Sequence, residues 1–534
     1  IYSIILLFLI QSELHTFLAV IIAVSMFIYL MMRILNGKSN GWQKLLTSVL
    51  AVFALFFIVF LLANPIVLTL AGVAGVILSI GMAVDANVLI FERIKEEIKD
   101  GRTLGSAIDI GFDRAWSSIR DSNFSSLITC AILFYFGSSI IQGFAFNLAA
   151  GILVSMFSAI MITKVFLKTL VGTKIAKNGF LMGAKKTNKK PRILPIIRNT
   201  KIWFGISGIL VAVSLVGMIA FGLRLGIDFT GGTLMQLKFE EQVEKDELKT
   251  ALEDIGQRLE STEETQEVGA TDETGNAEES TVEEADETPT ITPRTEDVDF
   301  STASVIWSDN GYIIKSKYIS SDTHDALLAE LENEFGSFEE TRFTTVGPTV
   351  GDTMKYKATI ALLIALFAIV LYIAFAFRKI PRNVSPWRFG LSAIVALAHD
   401  VLFIVGIYSI LGYVLGVEID ALFITALLTI LGFSVHDTIV VFDRVRENLK
   451  NMGRDVTFGE VANKALSQTM ARSLNTSIST LFTLCALLFL GSSSIFYFVL
   501  ALVLGTIVGT YSSIFVASPV LVWWHNRALG RKQR

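Results

Sequence analysis

The sequence predicts a polytopic α-helical membrane protein. It reads as two parallel repeats of about five to six transmembrane helices, with a small extracytoplasmic α+β, ferredoxin-like domain between them. Three observations predict this. Of 534 residues, 52% are hydrophobic and only 18% charged, and the mean hydropathy is +0.59. Soluble domains carry about 25% charge and lack apolar runs near 20 residues, so a soluble enzyme is excluded. The long polar segment 223–355 shows a β-α-β-β-α-β pattern. Finally, a 13-residue motif in the first half is echoed in the second.

The apolar runs place spans near 15–35, 44–63, 67–92, 123–143 and 146–170, then near 202–222, 356–377, 387–413, 419–443, 473–490 and 494–524. Each is close to the length that crosses a bilayer as a helix. The first membrane repeat is 1–172, a basic connector is 173–197, a further span is 198–222, the second membrane repeat is 356–524 and a basic tail is 525–534. The chain opens on Ile1 with a short apolar piece that has neither a basic start nor a cleavage site. It does not read as a signal peptide and is expected to continue a chain whose start is missing. Cys130 and Cys485 sit inside apolar runs and read as packing residues, not as a disulfide framework or a metal site.

Lys and Arg in short loops set orientation. Residues 173–201 carry Lys174, Lys177, Lys185, Lys186, Lys189, Lys190, Arg192, Arg198 and Lys201 with no acid, and are expected to be cytoplasmic. Alternation then puts 92–120, 378–388 and the tail on the same side. The opposite loops, around 64–65, 137–142 and 417–420, hold no Lys or Arg. Residues 223–355 are therefore expected outside. Within them, 233–239 reads as a strand, 244–255 as an amphipathic helix, 303–319 as one or two strands around Asp309-Asn310-Gly311, 322–335 as a helix and 341–346 as a strand. That order suggests a split βαβ domain. Residues 257–299 hold fifteen acids against Arg258 and Arg294, a net of −13, which leaves +9 on the rest of a chain whose total is −4. This stretch reads as a disordered insertion.

The internal repeat carries charge where a bilayer is least tolerant. Gly81-Met-Ala-Val-Asp85-Ala-Asn87-Val-Leu-Ile-Phe91-Glu92-Arg93 aligns with Gly432-Phe-Ser-Val-His436-Asp437-Thr-Ile-Val-Val-Phe442-Asp443-Arg444. Further on, Arg120-Asp-Ser-Asn123 aligns with Arg472-Ser-Leu-Asn475. A carboxylate at the bilayer centre costs about 2.5–3.5 kcal/mol on insertion scales. Asp85 and Asp437 are therefore expected to face each other across the repeat interface and to carry protons, with Arg472 as the counter-charge of Asp437. Asn87, Asn123, His399, Asp400, His436 and Asn475 are supporting polar candidates. Glu92–Arg93 and Asp443–Arg444 sit at helix ends and are expected to snorkel. Gly226-Ile-Asp228-Phe-Thr230-Gly231-Gly232 lacks the GxxxxGK[ST] pattern of a phosphate loop. It reads as a tight turn from a membrane helix into a strand. No nucleophile set, zinc spacing or nucleotide motif marks an enzyme.

These motifs resemble the SecD and SecF proteins, accessory membrane components of bacterial Sec secretion. The 13-residue motif at Gly81 is similar to the fourth SecD span. Gly226–Gly232, Val346-Gly-Pro348-Thr-Val-Gly351, Ala398-His399-Asp400 and the motif at Asp437 are similar to SecF. The order implies a fused chain, SecD-like to about residue 172 and SecF-like from about 195, without the first span and large outer domain that SecD carries. His436 stands where many relatives have Asn.

The resemblance further implies a membrane core like that of the resistance-nodulation-division transporters. It implies a proton-motive-force-driven aid to late preprotein export across the bacterial cytoplasmic membrane, with Asp85, Asp437 and Arg472 as the proton relay. Partners implied are the SecYEG channel, SecA, YajC, an unfolded preprotein and membrane lipids, with no nucleic acid. No cofactor is implied. The coupling ion is H+, with Na+ open through the same carboxylates. The rival readings are a small-molecule or lipid exporter of the same superfold and a scaffold of the translocon without proton flux.

Overall fold

The computed structural model describes residues 69–173, 194–240, 243–269, 300, 303–308, 311–378, 385–451 and 456–532. The spans expected at 15–35 and 44–63 lie outside them, as do most of the connector and residues 270–299. The described chain forms two compact units. One is helical and takes in residues up to Leu223, Ala358–Val417 and the chain from Leu422 on; the other is Arg224–Lys357 with Glu418–Ala421.

The helical unit begins with α1 (Leu70–Lys99), α2 (Leu104–Phe136), α3 (Ser139–Phe157), a π-helical turn at Ser158–Ile162, and α4 (Thr163–Thr169). Thr69 caps α1 by accepting a hydrogen bond from Gly72 N at 3.0 Å. The apolar run expected to be one span at 123–143 is broken at Gly137, where α2 ends, and Ser138 starts the next helix. The turn falls in the loop expected at 137–142, so the span ends about six residues earlier than its expected bound at 143. α5 (Thr200–Phe221) follows and stops at Gly222, whose φ is +68°.

The second unit holds α6 (Ile227–Thr230), β1 (Gly232–Phe239), α7 (Lys245–Gly269), β2 (Ser304–Ser308), β3 (Gly311–Ser316), α8 (Ser321–Phe335) and β4 (Phe338–Val346). The strand order is β2-β3-β1-β4, and every pairing is antiparallel. This is the split βαβ arrangement the pattern predicts. Its core is Met235, Leu237, Leu248, Leu252, Ile314 and Leu327, all at 0% exposure. The acidic stretch differs from expectation at its start. Residues 257–269 continue α7, because Leu259 packs against the core and Arg258 pairs with Glu330 and Glu334 at 3.2 and 3.6 Å.

The remaining helices are α9 (Pro348–Ala376), α10 (Pro386–Leu415), α11 (Ala421–Asn451), α12 (Phe458–Leu490), α13 (Phe496–Ser512), a second π-helical turn at Ser513–Ala517, and α14 (Ser518–Lys532). Pro386 opens α10 at its first position, where its missing N–H is harmless. A capping box between Thr457 and Glu460 opens α12. Among the described residues, eight helical stretches are long and apolar enough to cross a membrane. α2 falls short of that test because its membrane half carries Asp121, Asn123, Ser125, Ser126 and Thr129.

The repeats pack reciprocally. A Cβ on Gly81 of α1 would stand 3.1 Å from Thr480 Oγ1 of α12, and a Cβ on Gly432 of α11 would stand 3.1 Å from Thr129 Oγ1 of α2. Thr480 lies within one residue of the repeat equivalent of Thr129. The π-helical turns also match. Thr163 after the first donates to Asn87 Oδ1 at 3.1 Å, and Ser513 in the second stands 2.9 Å from Thr438 Oγ1, with Asn87 and Thr438 at equivalent positions. Each repeat thus ties its motif helix to the helix around a π-helical turn, through residues at different turn positions.

Candidate functional site

Small residues let α1, α11 and α12 approach closely, and the polar residues of the repeat motif meet where they do. Arg472 of α12 donates through Nη2 to both carboxylate oxygens of Asp85 on α1, each at 3.1 Å. His436 Nε2 of α11 lies 2.6 Å from Asp85 Oδ2. All three residues are buried, at 8% exposure for Asp85, 5% for His436 and 4% for Arg472. The Asp85 carboxylate thus meets a guanidinium and an imidazole that are equally withdrawn from solvent.

Asp437 is buried beside this group, and its Oδ2 has no hydrogen-bond partner among the described residues. Arg472 Nε and His436 Nδ1 are also buried without a hydrogen-bond partner among the described residues. Asp437 lies within electrostatic reach of His436, Asp85 and Arg472. The expected pairing is therefore corrected. Arg472 serves Asp85, not Asp437, because Asp437 stands one position beyond the equivalent of Asp85 and so about 100° further round its helix.

The helix-end residues do not snorkel. Arg93 and Arg444, at 6% and 8% exposure, are drawn inward by acids of the opposite repeat. Arg93 pairs with Glu447 at 3.1 Å and Arg444 with Glu96 at 2.7 Å. Glu96 and Glu447 are also equivalent in the repeat. Arg114 of α2 joins both glutamates, at 3.4 Å to Glu96 and 2.5 Å to Glu447, and also pairs with Glu97. Ser118 donates to Asp443. A small cavity beside this network is lined by Glu92, Arg93, Glu96, Arg444, Gln468 and Arg472. The network escaped the sequence reading, although carrying the repeat three residues past Arg93 aligns Glu96 with Glu447. Arg114 has no counterpart and left no such signal.

The other candidates separate. Asn87 bonds Ala83 O at 3.3 Å and takes the Thr163 hydroxyl, so it joins α1 to α4. Asn123 bonds Ile119 O at 2.8 Å within its own helix. Asn475, on α12 three residues beyond Arg472, is exposed. His399 and Asp400 form a separate buried cluster on α10.

This chain matches the family model described as "Protein export membrane protein SecD/SecF, C-terminal" over residues 10–173 and 326–527, and the "SecD/SecF GG Motif" over 216–243. It is 41% identical over 338 residues to the protein translocase subunit SecF of Thermobaculum terrenum, covering 63% of this chain and 95% of that one. It is 33% identical over 451 residues to the protein translocase subunit SecDF of Thermus thermophilus, covering 83% of this chain and 53% of that one. The chain thus spans about half the length of that fused relative. The crystal structure of Thermus SecDF, described as a translocon-associated membrane protein, superposes with a TM-score of 0.69 at 30% identity, over 95% of this chain and 62% of that one.

Proposed function

The chain belongs to the SecD/SecF family of protein export membrane proteins, and from that premise we propose that it is a proton-driven accessory subunit of the bacterial Sec translocase. It assists late export of unfolded preproteins across the cytoplasmic membrane, beside the SecYEG channel, SecA and YajC. In this reading the basic connector and tail face the cytoplasm and the α+β unit faces outward.

One observation carries the proposal: a charged group, Asp85–Arg472–His436, is held at the interface of two membrane repeats with a second carboxylate, Asp437, beside it. Protonation of Asp85 removes the negative charge behind its hydrogen bonds from Arg472 and weakens them to bonds with a neutral acceptor. Asp437, with an unpartnered oxygen, is the alternative acceptor. Movement of Arg472 from one carboxylate to the other changes how α1, α11 and α12 pack. Breaking a buried pair by removing one charge costs about 3–5 kcal/mol, and one proton crossing 150 mV supplies about 3.4 kcal/mol. The two magnitudes are of the same order, so one proton offsets most of the cost of the switch. In the proposed orientation the small cavity lined by Glu92, Arg444 and Arg472 lies on the cytoplasmic side of the carboxylates and supports a polar approach for the proton. The donor set favours H+ over Na+, since both Asp85 oxygens face nitrogen donors and Na+ requires several oxygens.

The test is proton uptake by vesicles holding the protein, the channel and an unfolded secretory substrate. Uptake in wild type that is lost in Asp437→Asn supports the relay. Stimulated export with no uptake in either protein overturns it in favour of a passive scaffold.

A further inference from the structure

The relay leaves one buried ionisable cluster unused. Asp400, in the middle of α10, is 0% exposed. Its Oδ2 accepts hydrogen bonds from Ser434 Oγ of α11 and Ser512 Oγ of α13, both at 2.7 Å. Its Oδ1 lies 3.0 Å from His399 Nδ1. Two hydroxyl donors on one oxygen mark that oxygen as the unprotonated one, and Nδ1–H completes the set on the other. His399 is 6% exposed, and its Nε2 is buried with no hydrogen-bond partner among the described residues. The Asp400 carboxylate fixes the imidazole with Nδ1–H toward it, so Nε2 is the nitrogen that carries the lone pair. An open Nε2 lone pair with a fixed counter-charge behind it is built to accept a proton.

We propose that the His399–Asp400 dyad is a second proton-binding site, loaded at His399 Nε2 and joined through Ser434 to the helix that bears His436 and Asp437. Loading forms an imidazolium that draws on the Asp400 charge and weakens its hold on Ser434 and Ser512. Those hydroxyls sit where α11 meets α13 and the second π-helical turn, with Ser513 Oγ also donating to Ser434 O at 3.1 Å. The proton on the dyad thus sets how firmly α11 is held. Proton binding at the dyad stands on this geometry alone, and only its place in a transport cycle rests on the function proposed above.

The titratable groups on the elements packed around the dyad are few. On α13, the Tyr511 ring stands 6.1 Å from the imidazole, and its hydroxyl is 3.1 Å from Ser207 Oγ of α5. On α14, His525 Nδ1 lies 3.3 Å from Arg388 in the first turn of α10. α5 offers Lys201 at its start, and α11 offers His436 and Asp437.

The test is a pH titration of the whole chain in lipid nanodiscs, with ¹³C-labelled histidine followed by infrared difference spectroscopy. The chain has five histidines, so removal of each one assigns its band. An imidazolium step that vanishes in His399→Gln and persists in His436→Gln and His525→Gln is expected. Asp400→Asn should lower the proton affinity of that step about tenfold or more, the effect of losing an adjacent opposite charge. Should His399→Gln or Asp400→Asn fail to fold, Ser434→Ala and Ser512→Ala take their place. Each removes one donor from Asp400 and should raise the affinity of the same step. A His399 band that does not titrate between pH 5 and 9, or that ignores these substitutions, overturns the proposal and makes the dyad a packing joint. The titration does not depend on flux, so loss of the relay reading would leave it intact.

Discussion

Asp85 and His436 occupy equivalent positions in the two repeats, 351 residues apart, and their side chains meet at 2.6 Å. Residues related by an internal two-fold touch each other only near its axis, so the axis passes through this pair. Two carboxylates there would repel. The second repeat instead supplies an imidazole at the equivalent position and moves its carboxylate one residue on, to Asp437. The departure from symmetry creates one acceptor in use and one in reserve for Arg472.

This arrangement makes Asp85 and Arg472 energetically coupled. Asp85→Asn and Arg472→Gln should each destabilise the protein by about 3–5 kcal/mol, because each leaves a buried charge without its partner. The double substitution should cost clearly less than the sum. Thermal unfolding of the four proteins in detergent measures the coupling. Additive losses would show that the two side chains do not interact.

The ion-pair network predicts unequal tolerance. Glu447 receives Arg93, Arg114 and Arg444, and side-chain exposure is 8% for Arg93 and 10% for Arg444 but 32% for Arg114. Glu447→Gln leaves two buried arginines short of an acceptor and should cost about 1–3 kcal/mol. Arg114→Gln removes a partly hydrated charge and should cost less than half as much. Denaturation of both variants at low and high salt checks the order, and a larger loss for Arg114→Gln would contradict it.

Much of this was legible in the sequence, for a physical reason. Membrane depth and repetition expose a costly charge, and so Asp85, His436, Asp437 and Arg472 stood out. Helix rotation is not written in one strand of sequence, and that is why Arg472 was assigned to the wrong carboxylate. Asn475 echoes Asn123 yet faces outward for the same reason. Arg93 and Arg444 looked like snorkelling ends because a single helix offers no partner; the partners come from the opposite repeat. The α+β unit was read almost whole, since period-two and period-3.6 patterns differ plainly. The extension of α7 to Gly269 was masked by an acidic composition that resembles disorder.

The paired glycines at the start of β1 carry a separate prediction. Gly231 and Gly232 have φ of +73° and +133°. A Cβ on the first would stand 2.9 Å from Pro348 Cα, and on the second 2.7 Å from Ser316 O. Gly231→Ala or Gly232→Ala should cost about 1–3 kcal/mol and speed hydrogen exchange of β1 amides. Gly336 also has positive φ, +75°, but nothing lies within 4 Å of its Cβ position. Gly336→Ala should therefore show only the backbone penalty, about 1 kcal/mol. Equal losses at all three sites would mean that conformation alone, without crowding, explains the glycines.

The closest approach of the repeats makes the final prediction. Gly81 lies one helical turn before Asp85, and Thr480 lies two turns beyond Arg472, so their contact holds α1 against α12 beside the ion pair. Alanine at 81 places a methyl 3.1 Å from Thr480 Oγ1, a crowding that a few tenths of an ångström relieves. Alanine also favours the helix by about 1 kcal/mol over glycine, so Gly81→Ala should be near neutral. Leucine has no such escape, since overpacking a tight contact costs about 1–3 kcal/mol and wedges the helices apart. Gly81→Leu should lower stability and also weaken Asp85–Arg472 coupling in the cycle described above. Gly432→Leu should destabilise through Thr129 on α2 while leaving that coupling largely in place. Gly105→Leu is the control, because its Cβ would meet only Val171 Cγ1 at 3.7 Å. If Gly81→Leu preserves the Asp85–Arg472 coupling, close packing at Gly81 does not hold the charged pair together, and the link between repeat symmetry and the relay fails at that point.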